Sequence, residues 1–172
     1  MLFLEKETGE YNFKKDLRKG IKAELVVANI IRHHCRGATK IEFNKDEKYD
    51  ILVEIENYRY TTIEVKRDFL CSKTGNVAIE IWCRNKPSGI MTSKAMYWTF
   101  VFDEDIYIVK KEKLKNIIES KNYPTVEGGD LWNWNGNMVK STIMVLVPFC
   151  EFENVSKSML GKNFYFTETK EK

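Results

Sequence analysis

The first clear pattern along the chain is helical and covers about residues 13 to 35. Apolar residues and one arginine recur there at steps of three and four, namely Leu17, Ile21, Leu25, Ala28, Ile31 and Arg32. This spacing predicts an amphipathic helix with that stripe facing the core. Glu24 falls within the arc of the stripe, so we expect its carboxylate to point toward the interior or a cleft. The opposite side carries the cations Lys14, Lys15, Arg18, Lys19 and Lys22. That composition is usual for a solvated face, and it also suits phosphate binding.

After Gly37 the apolar period shortens to two, which predicts strands. The predicted strands cover residues 40–44, 49–55, 59–67 and 76–82. The second and third are expected to form an antiparallel hairpin that turns near Glu56 and Asn57. In the fourth strand, Ala78, Glu80 and Trp82 share one face, and Val77, Ile79 and Ile81 share the other.

The second half of the chain contains both the helical spacing of three and four residues and the strand alternation of two. The predicted elements are a short helix at 92–98 capped by Thr92 or Ser93, strands at 99–102 and 106–109, and an amphipathic helix at 111–121. The dipeptide Asn135-Gly136 favours a type I′ turn and predicts a hairpin between residues 131–134 and 138–147. The order of elements predicts a mixed α/β fold in a single domain.

The composition argues against several classes of protein. The chain has 172 residues, a formal net charge of +3, four cysteines without a C-x-x-C pair and two adjacent histidines. These numbers do not favour a disulfide framework, a zinc knuckle or a poly-histidine zinc enzyme. No phosphate-binding G-x-x-x-x-G-K-[ST] motif occurs. No stretch approaches the roughly 20 apolar residues of a membrane span, so we expect a cytoplasmic protein with no membrane partner.

The residues with the most chemical meaning lie on the predicted hairpin. Glu64 and Lys66 are two apart on one strand and therefore share a face, and Asp50 can meet them from the neighbouring strand. Two carboxylates and an ammonium group suit metal-assisted phosphodiester hydrolysis. Acid-x-Lys occurs four times in the chain, but only Glu64-Lys66 lies in a β-branched alternating run. The alternative is a solvated sheet face on which these side chains simply meet water.

Asp50, Glu64-x-Lys66 and the helix-borne Glu24 together resemble the PD-(D/E)XK nuclease superfamily. The segments 74–80, 88–90 and 94–98 are similar to small phage and bacterial members. The resemblance covers about residues 13–121, and residues 122–172 form an extension outside it. It implies a restriction-endonuclease-like fold: a central mixed β-sheet flanked by helices, here with an extra C-terminal β-hairpin. Tyr49 stands where the family name has proline, which removes no ligand.

The resemblance also implies roles for individual residues. Asp50 and Glu64 would bind Mg²⁺ or Mn²⁺ with the carbonyl of Val65, Lys66 would be the catalytic lysine, and Glu24 matches the acid of resolvase-like members. A buried salt bridge between Glu24 and Lys66 is the structural alternative.

Further residues are candidates for the same site. Glu80 suits a second metal or the positioning of water, or it is an exposed strand position. Ser93 and Lys94 would open the predicted helix and bind a phosphate there, with Lys22 and Lys19 as further nucleic-acid contacts. The alternative for Lys94 is a plain surface lysine. Trp132 and Trp134 could stack on unpaired bases or serve as packing residues.

The function that these features predict is a Mg²⁺- or Mn²⁺-dependent endonuclease that hydrolyses phosphodiester bonds in DNA, in phage or bacterial DNA processing. One alternative is a non-catalytic nucleic-acid-binding module on the same fold, and another is a structural or protein-interaction domain. Duplex, branched and single-stranded DNA and RNA all remain open as substrates. A homodimer would allow two sites to cut two strands, and the sequence leaves that open as well.

Overall fold

The computed structural model of this chain describes residues 13–44, 48–103, 105–132, 138–161 and 163–171; the side chains of 13–19, 129–132 and 138–140 lie outside that description. The helices are α1 (Phe13–His34), α2 (Cys71–Thr74), α3 (Lys111–Ser120) and α4 (Phe149–Val155). The strands are β1 (Ala38–Phe43), β2 (Ile51–Ile55), β3 (Arg59–Arg67), β4 (Asn76–Cys83), β5 (Lys86–Pro87), β6 (Tyr97–Val101), β7 (Ile106–Lys110), β8 (Thr125–Trp132), β9 (Met138–Pro148), β10 (Lys157–Ser158) and β11 (Lys170–Glu171). The protein is thus α/β, as predicted.

The larger sheet has the order β1-β2-β3-β6-β7-β10, and β11 also pairs with β3. β3 and β6 run parallel, while the other pairs in this sheet are antiparallel, so the sheet is mixed. The predicted β2–β3 hairpin is confirmed. It turns through Asn57 and Tyr58, whose φ angles of 64° and 57° are the left-handed values of a type I′ turn.

α1 covers one face of this sheet. Ala28 and Ile31 are buried there as predicted, and together with Val27 they pack with Ile51, Val53 and Ile63 of the hairpin. Ala23 is also buried. The expectation for Ile21 and Leu25 was wrong, because these side chains are 48% and 51% exposed. The helix has apolar residues on two adjacent arcs, and the arc through residues 23, 27 and 31 is the one that meets the sheet. Helical periodicity alone does not distinguish between such arcs.

A second sheet, with the order β5-β4-β9-β8, packs with α3 and α4 against the other face of the larger sheet. Val77, Ile79 and Val147 from this sheet share a core with Trp98 and Phe100 of β6. The predicted C-terminal hairpin is present as β8 and β9, although β8 begins at Thr125 rather than residue 131. Its Asn135-Gly136 turn lies outside the described residues. The hairpin is not an addition at the edge of the fold, because β9 pairs along the length of β4.

The predicted helix at 92–98 was wrong. A single 3-10 turn at Gly89–Met91 is followed by residues that belong to neither a helix nor a strand and lead into β6 at Tyr97. Tyr97, Trp98 and Phe100 suit a buried strand, and the N–H of Met96 already donates to the Thr62 carbonyl at 3.0 Å. Pairing with β3 outweighs the weak helical signal of this short segment. α2, α4 and the two-residue strands were not predicted, because such short elements carry little periodicity. None of the helices in the described part of the chain is long and apolar enough to cross a membrane.

Candidate active site

The candidate site lies where β2 and β3 separate. Their last paired residues are Ile51 and Ile63, beyond which β3 continues to Arg67 beside β6. Asp50 stands at this fork. Its backbone N–H donates to the Ile63 carbonyl at 2.9 Å, and its Oδ2 accepts a hydrogen bond from the Val65 N–H at 2.6 Å. The side chain of Asp50 thereby takes the place that the backbone of β2 would occupy if the pairing continued.

The same fork gives the Val65 carbonyl its direction. In a strand, the N–H and C=O of one residue point to the same side. Because the Val65 N–H meets Asp50, the Val65 carbonyl also faces the Asp50 side rather than β6. A carbonyl oxygen and a carboxylate of two different strands therefore border one opening.

Glu64 and Lys66 project together, as their spacing on a strand predicts. The Lys66 ammonium donates to Glu64 Oε1 at 2.6 Å and lies 5.3 Å from the centroid of the Trp98 ring, within cation–π range. The Glu64 side chain is 13% exposed and that of Lys66 is 39% exposed. Lys66 can therefore reach solvent or a ligand, while Glu64 and Trp98 hold it from beneath.

The charges of the site act on one another. Burial raises the pKa of Glu24, and the carboxylates of Asp50 and Glu64 raise it further, with Lys66 opposing them. Burial and the charge of Glu64 likewise raise the pKa of Asp50, against the Val65 N–H and Lys66. For Lys66 burial works to lower the pKa, but Glu64, Asp50 and Glu80 outweigh it and the pKa is raised. The structure thus brings Glu24, Asp50, Glu64, Lys66 and Glu80 into one electrostatic cluster.

The donor atoms suit a hard cation with a partly aqueous shell. Among the described residues, no three aspartate, glutamate, histidine or cysteine side chains lie close enough to enclose a metal ion. Mg²⁺, however, is normally held by one or two carboxylates and keeps several waters. Asp50, Glu64 and the Val65 carbonyl supply oxygen donors of that kind, so the donor set fits Mg²⁺ or Mn²⁺ and does not form a closed protein cage.

The remaining predicted contacts have different outcomes. Ser93 and Lys94 do not open a helix, so the expectation of a helix N-terminus there was wrong, and their contact with a phosphate stays a prediction. Lys94 is exposed, and its N–H donates to the Lys48 carbonyl at 3.0 Å. Lys22 is exposed on α1. The structure does not describe the side chains of Lys19 and Trp132, and Trp134 lies outside the described residues.

Ser93 instead faces inward. It is 9% exposed, its Oγ accepts from the Ala95 N–H at 3.2 Å, and the same Oγ lies 3.5 Å from Glu64 Oε2. The ammonium group of Lys111 holds the Ser93 carbonyl at 2.9 Å. Ser93, which the sequence named as a candidate for the site, therefore lines the site through Glu64, and it does so from an irregular segment rather than from the N-terminus of a helix. The dipeptide Ser88-Gly89, a turn signal, was the feature that could have indicated this.

Comparison of the chain with protein-family models, with curated proteins and with solved structures finds no match. A function for this chain therefore has to rest on the chemistry of its own residues.

Proposed function

We propose that this chain is a divalent-metal-dependent nuclease that hydrolyses phosphodiester bonds in DNA. The observation that carries the proposal is the strand fork, where the Val65 N–H holds Asp50 at 2.6 Å next to the Glu64–Lys66 pair. A structural ion pair on a sheet face would need neither the second carboxylate nor the partly buried Glu24. Three carboxylates whose charges oppose one another are destabilising without a cation, and such groups cluster at functional sites.

The chain's own groups have distinct tasks in this proposal. Asp50, Glu64 and the Val65 carbonyl would hold Mg²⁺ or Mn²⁺. The bound cation would polarise the phosphate and acidify a water molecule. Lys66, whose raised pKa keeps it protonated at neutral pH, neutralises negative charge that develops on the phosphoryl oxygens. The hydrogen bond to Glu64 keeps the Lys66 ammonium in place. The neighbouring Trp98 ring further limits the positions that the ammonium can take.

The test is cleavage of a labelled panel: a four-way junction, a flap, a linear duplex, single-stranded DNA and RNA, each with Mg²⁺, Mn²⁺ or EDTA. Asp50→Ala, Glu64→Ala and Lys66→Ala should each abolish metal-dependent cutting. Lys40→Ala is the matched control, because Lys40 also pairs with a glutamate two positions away, Glu42, on the exposed strand β1. Its activity should equal that of the wild type.

Two outcomes would overturn the proposal. If all three variants still cut DNA, the activity depends on residues outside this site. No cutting of any substrate by the wild type, with DNA still bound in EDTA and bound less tightly as salt rises, would instead support a binding module.

A further inference from the structure

The segment that follows β4 returns to the middle of that strand and binds it. The Ser88 hydroxyl donates a hydrogen bond to Glu80 Oε1, and the Ser88 N–H donates to the Ile81 carbonyl at 3.0 Å. The two contacts fix both the side chain of Glu80 and the backbone beside it. Glu80 belongs to the second sheet, whereas Asp50, Glu64 and Lys66 belong to the first.

Gly89 makes this close return sterically feasible. Its φ is +54°, and a Cβ at this position would lie 2.2 Å from the Glu80 carbonyl oxygen and 2.8 Å from the Glu80 Cβ. Both atoms belong to the backbone of Glu80 or are attached directly to it. They cannot move aside, as the end of a long side chain could. Any other residue at 89 would therefore push the segment away from Glu80.

β4 is also irregular at this position. Its pairing with β9 shifts between Glu80, opposite Met144, and Trp82, opposite Ile143, so Ile81 is an extra residue. Such bulges change the direction of neighbouring side chains and are frequent beside active sites. The segment that binds Glu80 also reaches the first sheet's cluster, because the Ser93 N–H donates to the Gly89 carbonyl at 2.9 Å and Ser93 Oγ lies 3.5 Å from Glu64 Oε2. The charge of Glu80 accordingly acts on Lys66.

From these contacts we infer that Ser88 is a positioning residue that holds Glu80 beside the cluster of Asp50, Glu64 and Lys66. Ser88 occupies Oε1 of Glu80, which leaves Oε2 as the oxygen that can accept a hydrogen bond from the water that attacks phosphorus. The inference rests on the proposed nuclease function and extends it, because the second sheet then contributes part of the site.

The test compares Ser88→Ala, which removes the hydroxyl, with Ser88→Thr, which keeps it. The extended backbone of Ser88, with φ −150° and ψ −177°, accepts a β-branched residue. Loss of a partner that orients a site carboxylate should lower kcat about 10-fold, with KM almost unchanged, and threonine should restore most of kcat. The control is Ser72→Ala, which breaks an equivalent serine–carboxylate hydrogen bond of 2.8 Å to Asp103 outside the cluster.

Gly89→Ala is the second variant, and Gly161→Ala is its control. Gly161 has a similar φ of +69° but no heavy atom within 4 Å of an added Cβ. Both variants carry the conformational cost of a left-handed alanine, and only Gly89→Ala displaces the contact with Glu80. Gly89→Ala should therefore lose kcat, while Gly161→Ala should keep it.

Melting in Mn²⁺ gives a readout that does not depend on activity. Glu80 adds negative charge next to the site carboxylates only while it is held there. Ser88→Ala should therefore raise the Mn²⁺ concentration that produces half of the rise in melting temperature, and Ser88→Thr should not.

The outcomes separate the two proposals. If the wild type cuts DNA and Ser88→Ala cuts equally well, with the same Mn²⁺ midpoint, the role of Ser88 is refuted and the nuclease function stands. If the wild type cuts no substrate, the nuclease function fails, and the role of Ser88 fails with it.

Discussion

Asp50 shows how a single residue acquires its role from its position relative to a strand. It precedes β2, so its N–H still joins the sheet while its carboxylate is free to bind the Val65 N–H of the next strand. The sequence indicated Asp50 as a residue of the strand predicted at 49–55 that could meet Glu64 and Lys66 from the neighbouring strand, whereas β2 begins only at Ile51. The hydrogen bond to Val65, in contrast, depends on the register of two strands.

The raised pKa of Asp50 leads to a prediction for the metal-free protein. Burial, and then the charge of Glu64, makes Asp50 easier to protonate in the folded than in the unfolded chain. Its contribution to stability is thus present below the ordinary carboxyl pKa and is lost as the pH rises through the raised value. In EDTA at pH 7, Asp50→Asn should therefore melt at a higher temperature than the wild type, because it removes an unfavourable charge.

A pH series checks the sign of this effect. The advantage of Asp50→Asn should shrink as the pH falls and should vanish well below about 4, the ordinary aspartate pKa, because the wild-type carboxyl is then protonated in both states. Asp105→Asn, at an exposed position, should change the melting temperature little at either pH. A variant that is less stable than the wild type at neutral pH would mean that the ionised Asp50 is stabilising.

At the scale of elements, α1 joins the core to the site. Its buried arc through Ala23, Val27 and Ile31 meets the sheet, and Glu24 lies at the edge of this arc beside the cluster. The helix itself was predicted within one residue of its C-terminal end. Its orientation was not, because Ile21 and Leu25 are as apolar as the residues that pack.

This orientation predicts unequal costs for two similar truncations. Ile31 is fully buried and Leu25 is 51% exposed. Ile31→Ala should lower the free energy of unfolding by about 2–5 kcal/mol, whereas Leu25→Ala should cost less than about 1 kcal/mol. Urea denaturation of both variants measures the difference. Equal costs would mean that the arc assigned from the sequence faces the core after all.

At the scale of the whole molecule, the chain after α3 contributes strands to both sheets. β9 completes the second sheet, while β10 and β11 pair with β7 and β3 of the first. Met159 and Phe166 lie in the core under α1. The C-terminal region is therefore a structural part of the fold that holds the site, although it lies outside the sequence resemblance.

Two neighbouring residues test this structural role. Met159 is 1% exposed and Leu160 is 39% exposed. Met159→Ala should lower the free energy of unfolding by about 2–5 kcal/mol, and Leu160→Ala should have a much smaller effect. Denaturation followed by tryptophan fluorescence compares them. A tolerant Met159 would indicate that the C-terminal region contributes little to the core.

The site carboxylates predict that a divalent cation stabilises the entire molecule. A ligand that binds only the folded state at 100 times its Kd adds about 2.7 kcal/mol. Millimolar Mg²⁺ or Mn²⁺ should raise the melting temperature of the wild type and leave that of the Asp50→Ala, Glu64→Ala double variant unchanged. The same rise in both proteins would assign the cation to another site, and no rise in the wild type would contradict the metal-dependent proposal.

The sequence by itself determined the features that arise from short-range geometry. Alternation with a period of two placed Ile51, Val53 and Ile63 inside and Glu64 beside Lys66, and the structure confirms both. α1, β3, β7 and α3 were also predicted close to their observed bounds, because their local patterns are distinctive. In such elements the local backbone repeat alone decides which side chains lie together.

Only the tertiary structure decided how these elements meet. The side of α1 that packs, the strand conformation of Tyr97 and Trp98, the inward direction of Ser93 and the return of Ser88 to Glu80 all depend on contacts between residues distant in the chain. Two arcs of a helix or two conformations of a short segment differ little in local free energy. Burial against the rest of the molecule selects one of them, and a local pattern carries no information about that surface.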